Sequence, residues 1–230
     1  MKRIAVIFGV FMLLFGLGCT GNAQATGTSL NLPVQVLDKP AGWQEEVILR
    51  ITAPNGQDLY LISLMENPVV YSQDVNFDGV EDLAVMVVSG ASNTAFRLFV
   101  LLDGRYVPVN DSTEQGLFNP VFHGTKGLVE SYITNGHAGA LHERALLRWE
   151  GSQLRPVRRA VCEELRESDF SGETYREVTW NNILHTQVYD YTTNGEPTVL
   201  HEEQIAMEPF DMDTYQAFFS REQDALWKGL

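Results

Sequence analysis

Short apolar runs alternate with polar residues along most of this chain, and many of the runs end at a pair of residues that tolerates positive φ. Residues 47–53 and 59–64 flank Asn55-Gly56, and residues 96–102 and 106–109 flank Asp103-Gly104. Such pairs predict tight hairpins, because their backbones enter the left-handed region at little cost. The theme recurs. Lys126-Gly127 leads into 128–134, Gly151-Ser152 separates 145–149 from 154–158, and Asn194-Gly195 separates 183–191 from 198–207. No ten-residue helical pattern intervenes, so the expected fold is all-β, an antiparallel hairpin meander. Residues 212–227 alone carry a helical period, with Tyr215, Phe218, Phe219, Leu226 and Trp227 on one face. With few basic residues, that short C-terminal helix reads as a packing element and not as a membrane-surface helix.

The first 18 residues stand outside this pattern. Lys2 and Arg3 precede an uninterrupted apolar stretch over 4–17, which has signal-peptide length and is short for a membrane span. Two processing routes are open. Gly16-Leu17-Gly18-Cys19 approximates a lipobox, which would lipidate Cys19, whereas Ala23-Gln24-Ala25 suits ordinary cleavage. The lipoprotein route fits the small, polar residues 20–29, which would serve as a tether. The expected organisation is a signal peptide over 1–18, a tether over 19–40 and a single β domain over 41–230. Localisation follows as the periplasm, with anchoring to the outer membrane through Cys19, or otherwise secretion.

Only Cys19 and Cys162 occur in the sequence, so no disulfide framework is expected and Cys162 should lie buried. The formal net charge is −14, and loss of the segment carrying Lys2 and Arg3 would make it two units more negative. Nucleic acids and anionic lipid surfaces call for basic proteins, so neither is an expected partner. A cation or a basic protein suits this charge.

Residues 74–83, Asp-Val-Asn-Phe-Asp-Gly-Val-Glu-Asp-Leu, carry the most specific chemistry. Asp74, Asn76 and Asp78 place oxygen side chains at alternate positions. Gly79 permits the turn that would bring the Val80 carbonyl round as a further ligand, and Asp82 follows at the ninth position. A hard cation wants six to eight oxygens, and this spacing predicts a Ca2+ loop. The twelfth position is Val85 and not an EF-hand glutamate, and both flanks, 68–72 and 83–88, read as strands. The expected role is therefore a structural staple between strands.

Catalytic signatures are missing. The sequence has no G-x-S-x-G elbow, H-E-x-x-H helix, Walker loop or G-x-G-x-x-G junction. His137 and His142 are five apart across a glycine-rich loop and read as exposed loop or strand histidines. The chain is expected not to be an enzyme.

The metal loop, Ser89-Gly90-Ala91, Asn93, the aromatic strand 96–102, Asn119-Pro120, Gly136-His137-Ala138-Gly139 and Leu146 to Gly151 together resemble a bacterial family over roughly residues 45–160. These are calcium-binding, β-propeller-like envelope proteins. The family includes immunity proteins against peptidoglycan hydrolases delivered by type IV secretion, and its fold is similar to that of invertebrate-type lysozyme inhibitors. The loop also resembles the wider FG-GAP, or integrin-type, class. The resemblance implies a β-propeller-like fold and a partner such as a peptidoglycan hydrolase. In the inhibitors an S-G-x-Y loop enters the enzyme's cleft; Ser89 and Gly90 match its first part, while Ser92 stands where tyrosine is expected. The functional expectation is an inhibitor or immunity protein. Its alternatives are a structural or adhesion module with an FG-GAP-like loop and a cell-wall hydrolase with an unrecognised site.

Overall fold

The computed structural model describes residues 27–39, 46–109, 116–136, 140–165, 183–192, 196–206 and 211–230. In chain order the strands are β1 Thr28–Leu30, β2 Val34–Asp38, β3 Val47–Thr52, β4 Asp58–Ser63, β5 Val69–Gln73, β6 Asp82–Ser89, β7 Thr94–Leu102 and β8 Arg105–Pro108. They continue with β9 Leu117–Phe118, β10 Val121–His123, β11 Leu128–Gly136, β12 Leu141–Glu150, β13 Gln153–Leu165, β14 Ile183–Asp190 and β15 Thr198–Ala206. A single α-helix among the described residues, α1, spans Met212–Trp227, and a one-turn 3-10 helix lies at Gly124–Lys126. The fold is all-β, with antiparallel strands in three sheets and a short C-terminal helix. No helix among the described residues is long and apolar enough to cross a membrane.

The turns form as their residues dictate. Asp103 and Gly104 both take positive φ, 49° and 78°, joining β7 to β8 by the left-handed pair that matches strand twist. Gly56, at φ 83°, closes the β3–β4 turn, where its amide donates to the Ala53 carbonyl at 2.9 Å. Gly151 does the same between β12 and β13 at φ 64°. Asn194 and Gly195 lie outside the described residues.

One sheet has the order β1-β5-β6-β7-β8, with β9 beside β7; a second is β2-β3-β4; the third runs in sequence from β10 to β15. Residues 28–38 belong to the segment expected to be a tether, yet they form β1 and β2, which pair with β5 and β3. The reason is apolar alternation: Leu30, Leu32, Val34 and Val36 pack against the core. The chain divides into two compact units. One unit runs to Ile133 and takes in Leu146–Pro156; the other comprises Thr134–Ala145 and Val157–Leu230.

In the first unit the core gathers Val47, Leu49 and Ile51 from β3, Leu59 and Leu61 from β4, and Leu83, Val85 and Val87 from β6. Strand β6 is central in its sheet, and Leu83, Ala84 and Val85 are all fully buried, which accounts for its continuous apolar run. β4 alternates instead. Its Leu59 and Leu61 face inward, while Tyr60 and Ile62 stay 62% and 54% exposed.

The second unit packs α1 onto its strands. Tyr215 and Phe218 meet Ala140, Cys162 and Leu184. Asp211 caps the helix by accepting from the Thr214 amide, and Arg158 donates to the Ala225 carbonyl at 3.1 Å, placing a cation at the negative end of the helix. Arg158 is itself paired with Asp190 at 3.2 Å. Cys162 lies buried and unbridged, as its isolation in the sequence implies, and burial pushes its thiol up.

The inward face of α1 also carries a carboxylate that periodicity does not reveal. Glu222 is only 2% exposed; its Oε1 meets His142 Nε2 at 2.8 Å, and its Oε2 accepts from Thr186 Oγ1 at 2.5 Å. His142, expected as an exposed histidine, is buried, with Nδ1 donating to the Ala140 carbonyl at 3.1 Å. The apolar helix face dictates this, since an acid inside it needs a donor from the sheet. Burial pushes the Glu222 carboxyl up. The hydrogen bond and charge of His142, followed by the Thr186 hydroxyl and the charge of Arg144, outweigh it and hold the group below its ordinary 4.5.

A carboxylate depressed by folding contributes stability that is complete above its unfolded value and is lost as pH falls through the folded one. Urea unfolding of the wild type should therefore weaken below about pH 4.5. Glu222→Ala, which strands His142, should cost roughly 3–5 kcal/mol at neutral pH and flatten that acid loss. A cost below about 1 kcal/mol would show that the pair does not hold the helix.

Candidate functional site

The loop between β5 and β6 is folded around its own side chains. Asp74 Oδ1 accepts the amides of Phe77 at 2.7 Å and Asp78 at 3.2 Å, and Oδ2 accepts that of Gly79 at 2.9 Å. The Asp78 amide also reaches Asn76 Oδ1 at 3.1 Å, so two side-chain oxygens converge on one donor. Asp78 Oδ1 then accepts from Val80 at 2.8 Å, and its Oδ2 takes the Asn76 amide group at 2.9 Å. The backbone bends through positive φ at Phe77 and Gly79, 66° and 84°. Gly79 does so without strain; a β-carbon there would disfavour this conformation.

Asp82 plays a different part. It is fully buried, with Oδ2 accepting the Val75 amide at 3.1 Å and Oδ1 the Leu101 amide at 2.7 Å. One carboxylate thereby ties the start of the loop to β7. Val75 is pinned from its other side too, since its carbonyl accepts the Trp149 indole N–H at 2.9 Å. Burial pushes the Asp82 carboxyl up against the pull of those two amides, and the charges of Asp78 and Asp74 push it further. The Tyr106 hydroxyl is likewise pushed up, by burial and then by the charges of Asp82 and Glu81.

Among the described residues no three His, Cys, Asp or Glu side chains form a metal-holding group. The alternate residues Asp74, Asn76 and Asp78, with the Val80 carbonyl, offer oxygen donors alone, which suits a hard cation over zinc or copper. Asp82 stands apart from that set because it is fully buried and one of its two amide partners, Leu101, comes from β7, whereas the amides on Asp74 belong to the loop itself. Of the five residues expected at a metal, four lie on the outer loop and the fifth is buried in the core.

At the far end of β6 lies the second candidate feature. Residues 89–93 turn the chain from β6 into β7, with the Gly90 amide donating to the Asn93 carbonyl at 2.9 Å. Ser89, Gly90, Ala91 and Ser92 are all exposed. A β-carbon on Gly90 would come within 3.2 Å of the Asn93 carbonyl, so the turn favours glycine. Because β6 begins at Asp82 and ends at Ser89, the metal-type loop and this tip stand roughly 23 Å apart along one strand.

Asn119, the residue after β9, grips the tip. Its Oδ1 accepts the Thr94 amide at 2.9 Å and the Thr94 hydroxyl at 3.0 Å. Its Nδ2 approaches the carbonyls of Ser92 at 3.3 Å and Tyr132 at 2.8 Å, and Asn93 Oδ1 at 3.2 Å. Asn119 adopts φ 41°, a region asparagine enters more readily than most residues. Neither Asn119 nor Trp149 is recognisable from its own neighbourhood in sequence as a brace, since their partners lie 25 and 74 residues away. Cys19 and His137 lie outside the described residues.

No protein-family model matches the chain, and no curated protein matches it by sequence. Among solved structures, that of a Xanthomonas type IV secretion system related protein is similar at a TM-score of 0.44 and 11% identity. The match covers 77% of this chain and 94% of that one. A likeness this loose carries no argument about function.

The Asp82 geometry has a measurable consequence. Asp82→Ala strands two amides and should destabilise the protein by roughly 2–4 kcal/mol in chemical denaturation. Asp78→Ala, on the exposed side of the loop, should cost under about 1 kcal/mol when a chelator is present. Equal costs would mean that Asp82 is not the anchor.

Proposed function

We propose that this chain is a non-enzymatic protein of the bacterial envelope that binds and inhibits a peptidoglycan hydrolase, in an immunity or lysozyme-inhibitor role. It resides in the periplasm, held to the outer membrane through a lipidated Cys19. Ser89 and Gly90 form the contact, at the tip of the β6–β7 hairpin. The observation that carries this reading is the tip itself: four successive exposed, small residues on a turn that is cross-braced beneath. A narrow, braced projection can enter a cleft without paying for ordering on arrival. The net charge of −14 would speed encounter with a basic enzyme. Inhibition then needs no chemistry, only occupancy of the groove where the glycan strand would lie.

Calcium belongs to the same proposal as a structural ion held by Asp74, Asn76, Asp78 and the Val80 carbonyl. It neutralises carboxylates that otherwise crowd one loop. The crowding supports the reading, because the charges of Asp74 and Asp78 already raise Asp82.

A non-enzymatic scaffold or adhesion module is the second reading. It is favoured by the outer face of β4 and the residue after it, where Tyr60, Ile62 and Leu64 are exposed in a row.

Inhibition predicts a stable one-to-one complex with a muramidase and loss of lysis, and Ser89→Trp, at an exposed position of the tip, should abolish both while leaving the melting temperature within about 2 °C. Undisturbed lysis across a panel of lysozymes and peptidoglycan hydrolases would remove the reading. For the ion, EGTA should lower the melting temperature through linkage between binding and folding, and Asp78→Ala should make the protein insensitive to EGTA. Identical melting curves with and without EGTA, together with no metal by mass spectrometry, would exclude calcium.

A further inference from the structure

We propose that Asn119 is the positioning residue of the 89–93 tip, holding it in one conformation for a partner's cleft. This rests on reading the tip as the binding element.

A hairpin turn of small residues has little to fix it. Between Ser89 and Asn93 the chain offers glycine, alanine and serine, and the Gly90 amide bonds across the turn to the Asn93 carbonyl. Left alone, such a turn samples many conformations, and its ordering would oppose any association. Asn119 changes this with one side chain. Its carboxamide uses both ends: the oxygen accepts twice from Thr94, and the nitrogen approaches Ser92, Asn93 and Tyr132. Two of those partners lie within the tip, one is the first residue of β7, and the last is in β11. The tip is thereby referenced to a neighbouring strand and not merely to its own hairpin.

The backbone of Asn119 completes the arrangement, its amide donating to the Thr94 carbonyl at 2.8 Å. Thr94 is therefore held at its amide, its hydroxyl and its carbonyl by one residue. β11 supports the same corner, where Ser131 Oγ donates to the Phe118 carbonyl at 3.1 Å. No charged group takes part in these contacts, so the brace should hold at any salt concentration or pH at which the fold persists.

The positive φ of Asn119 supplies a clean variant. Glycine adopts φ 41° readily, so Asn119→Gly keeps the backbone and removes only the carboxamide. Asn119→Asp preserves the acceptor for Thr94 and removes the donor to Ser92, Asn93 and Tyr132. Amide hydrogen exchange on the full chain reads the brace directly, without any partner. In Asn119→Gly, the Gly90 and Thr94 amides should exchange about tenfold faster, with Leu49 and Ile51 in β3 unchanged. In Asn119→Asp, Thr94 should stay protected while Gly90 accelerates. Unchanged Gly90 and Thr94 exchange in Asn119→Gly would overturn the proposal. Should that variant lose protection in β3 as well, Asn119→Asp decides: acceleration at Gly90 alone sustains the brace, and any other pattern overturns it.

Inhibition of a purified muramidase gives the second arm. Asn119→Gly should need about tenfold more protein than the wild type for half-inhibition, and Asn119→Asp an intermediate amount. Equal potency of wild type and Asn119→Gly would overturn the positioning role. If the wild type inhibits no hydrolase but the exchange pattern holds, the inhibitor reading fails and the brace stands.

Discussion

A carboxylate sealed from water must be satisfied by donors of the protein, and Asp82 is satisfied by two backbone amides from different parts of the chain. Val75 N–H comes from the loop before β6, and Leu101 N–H from the end of β7. Both bonds end on a fully buried carboxyl group, a circumstance in which losing a hydrogen bond is costly. The first unit is arranged around that constraint. β6 starts at Asp82, runs through its most deeply buried residues and ends at the exposed tip. The position of the tip is thus set at one end by Asp82 and at the other by Asn119. Trp149 adds a third tie, from β12 to the Val75 carbonyl.

The second unit solves a comparable problem with a different donor. Glu222 enters an apolar interface on α1 and is met by His142 from β12 and Thr186 from β14. Arg158 closes the last turn of the same helix and Arg221 pairs with Glu203 on β15. Ion pairs and hydrogen bonds thus supplement the apolar contacts of a helix with a narrow hydrophobic face.

Much of the fold was legible because its determinants are local. Asp103-Gly104 specifies its hairpin through backbone freedom, Asn55-Gly56 through Gly56's positive φ and the Asn55 side chain's bond to the Gln57 amide, and the period of 212–227 specifies the helix. The flanks of the 74–82 loop read correctly as strands for the same reason. What escaped was set by partners far along the chain. Glu222 looks like a solvated helix residue until Thr186 and His142, 36 and 80 positions away, enclose it. Residues 28–38 continue a small, polar stretch over 20–29 that suggests a tether, yet pairing with β5 and β3 gives their alternating apolar side chains a surface to cover. At the candidate site, the oxygen-bearing pattern was visible, but the division of labour was not. Spacing treats Asp74 and Asp82 alike; burial of Asp82 and its bond to the Leu101 amide, 19 residues away, separate the anchor from the outer loop.

The central claim is that the 74–82 loop is a staple fixed by Asp82, with any calcium confined to its outer half. Calcium titration into the chelated protein, followed by amide NMR, tests this most directly. Expected are chemical-shift changes limited to residues 74–80, with the Val75 and Leu101 amides protected from exchange at every calcium concentration. Loss of Leu101 protection on chelation, restored by calcium, would contradict it and make the loop a metal-dependent switch.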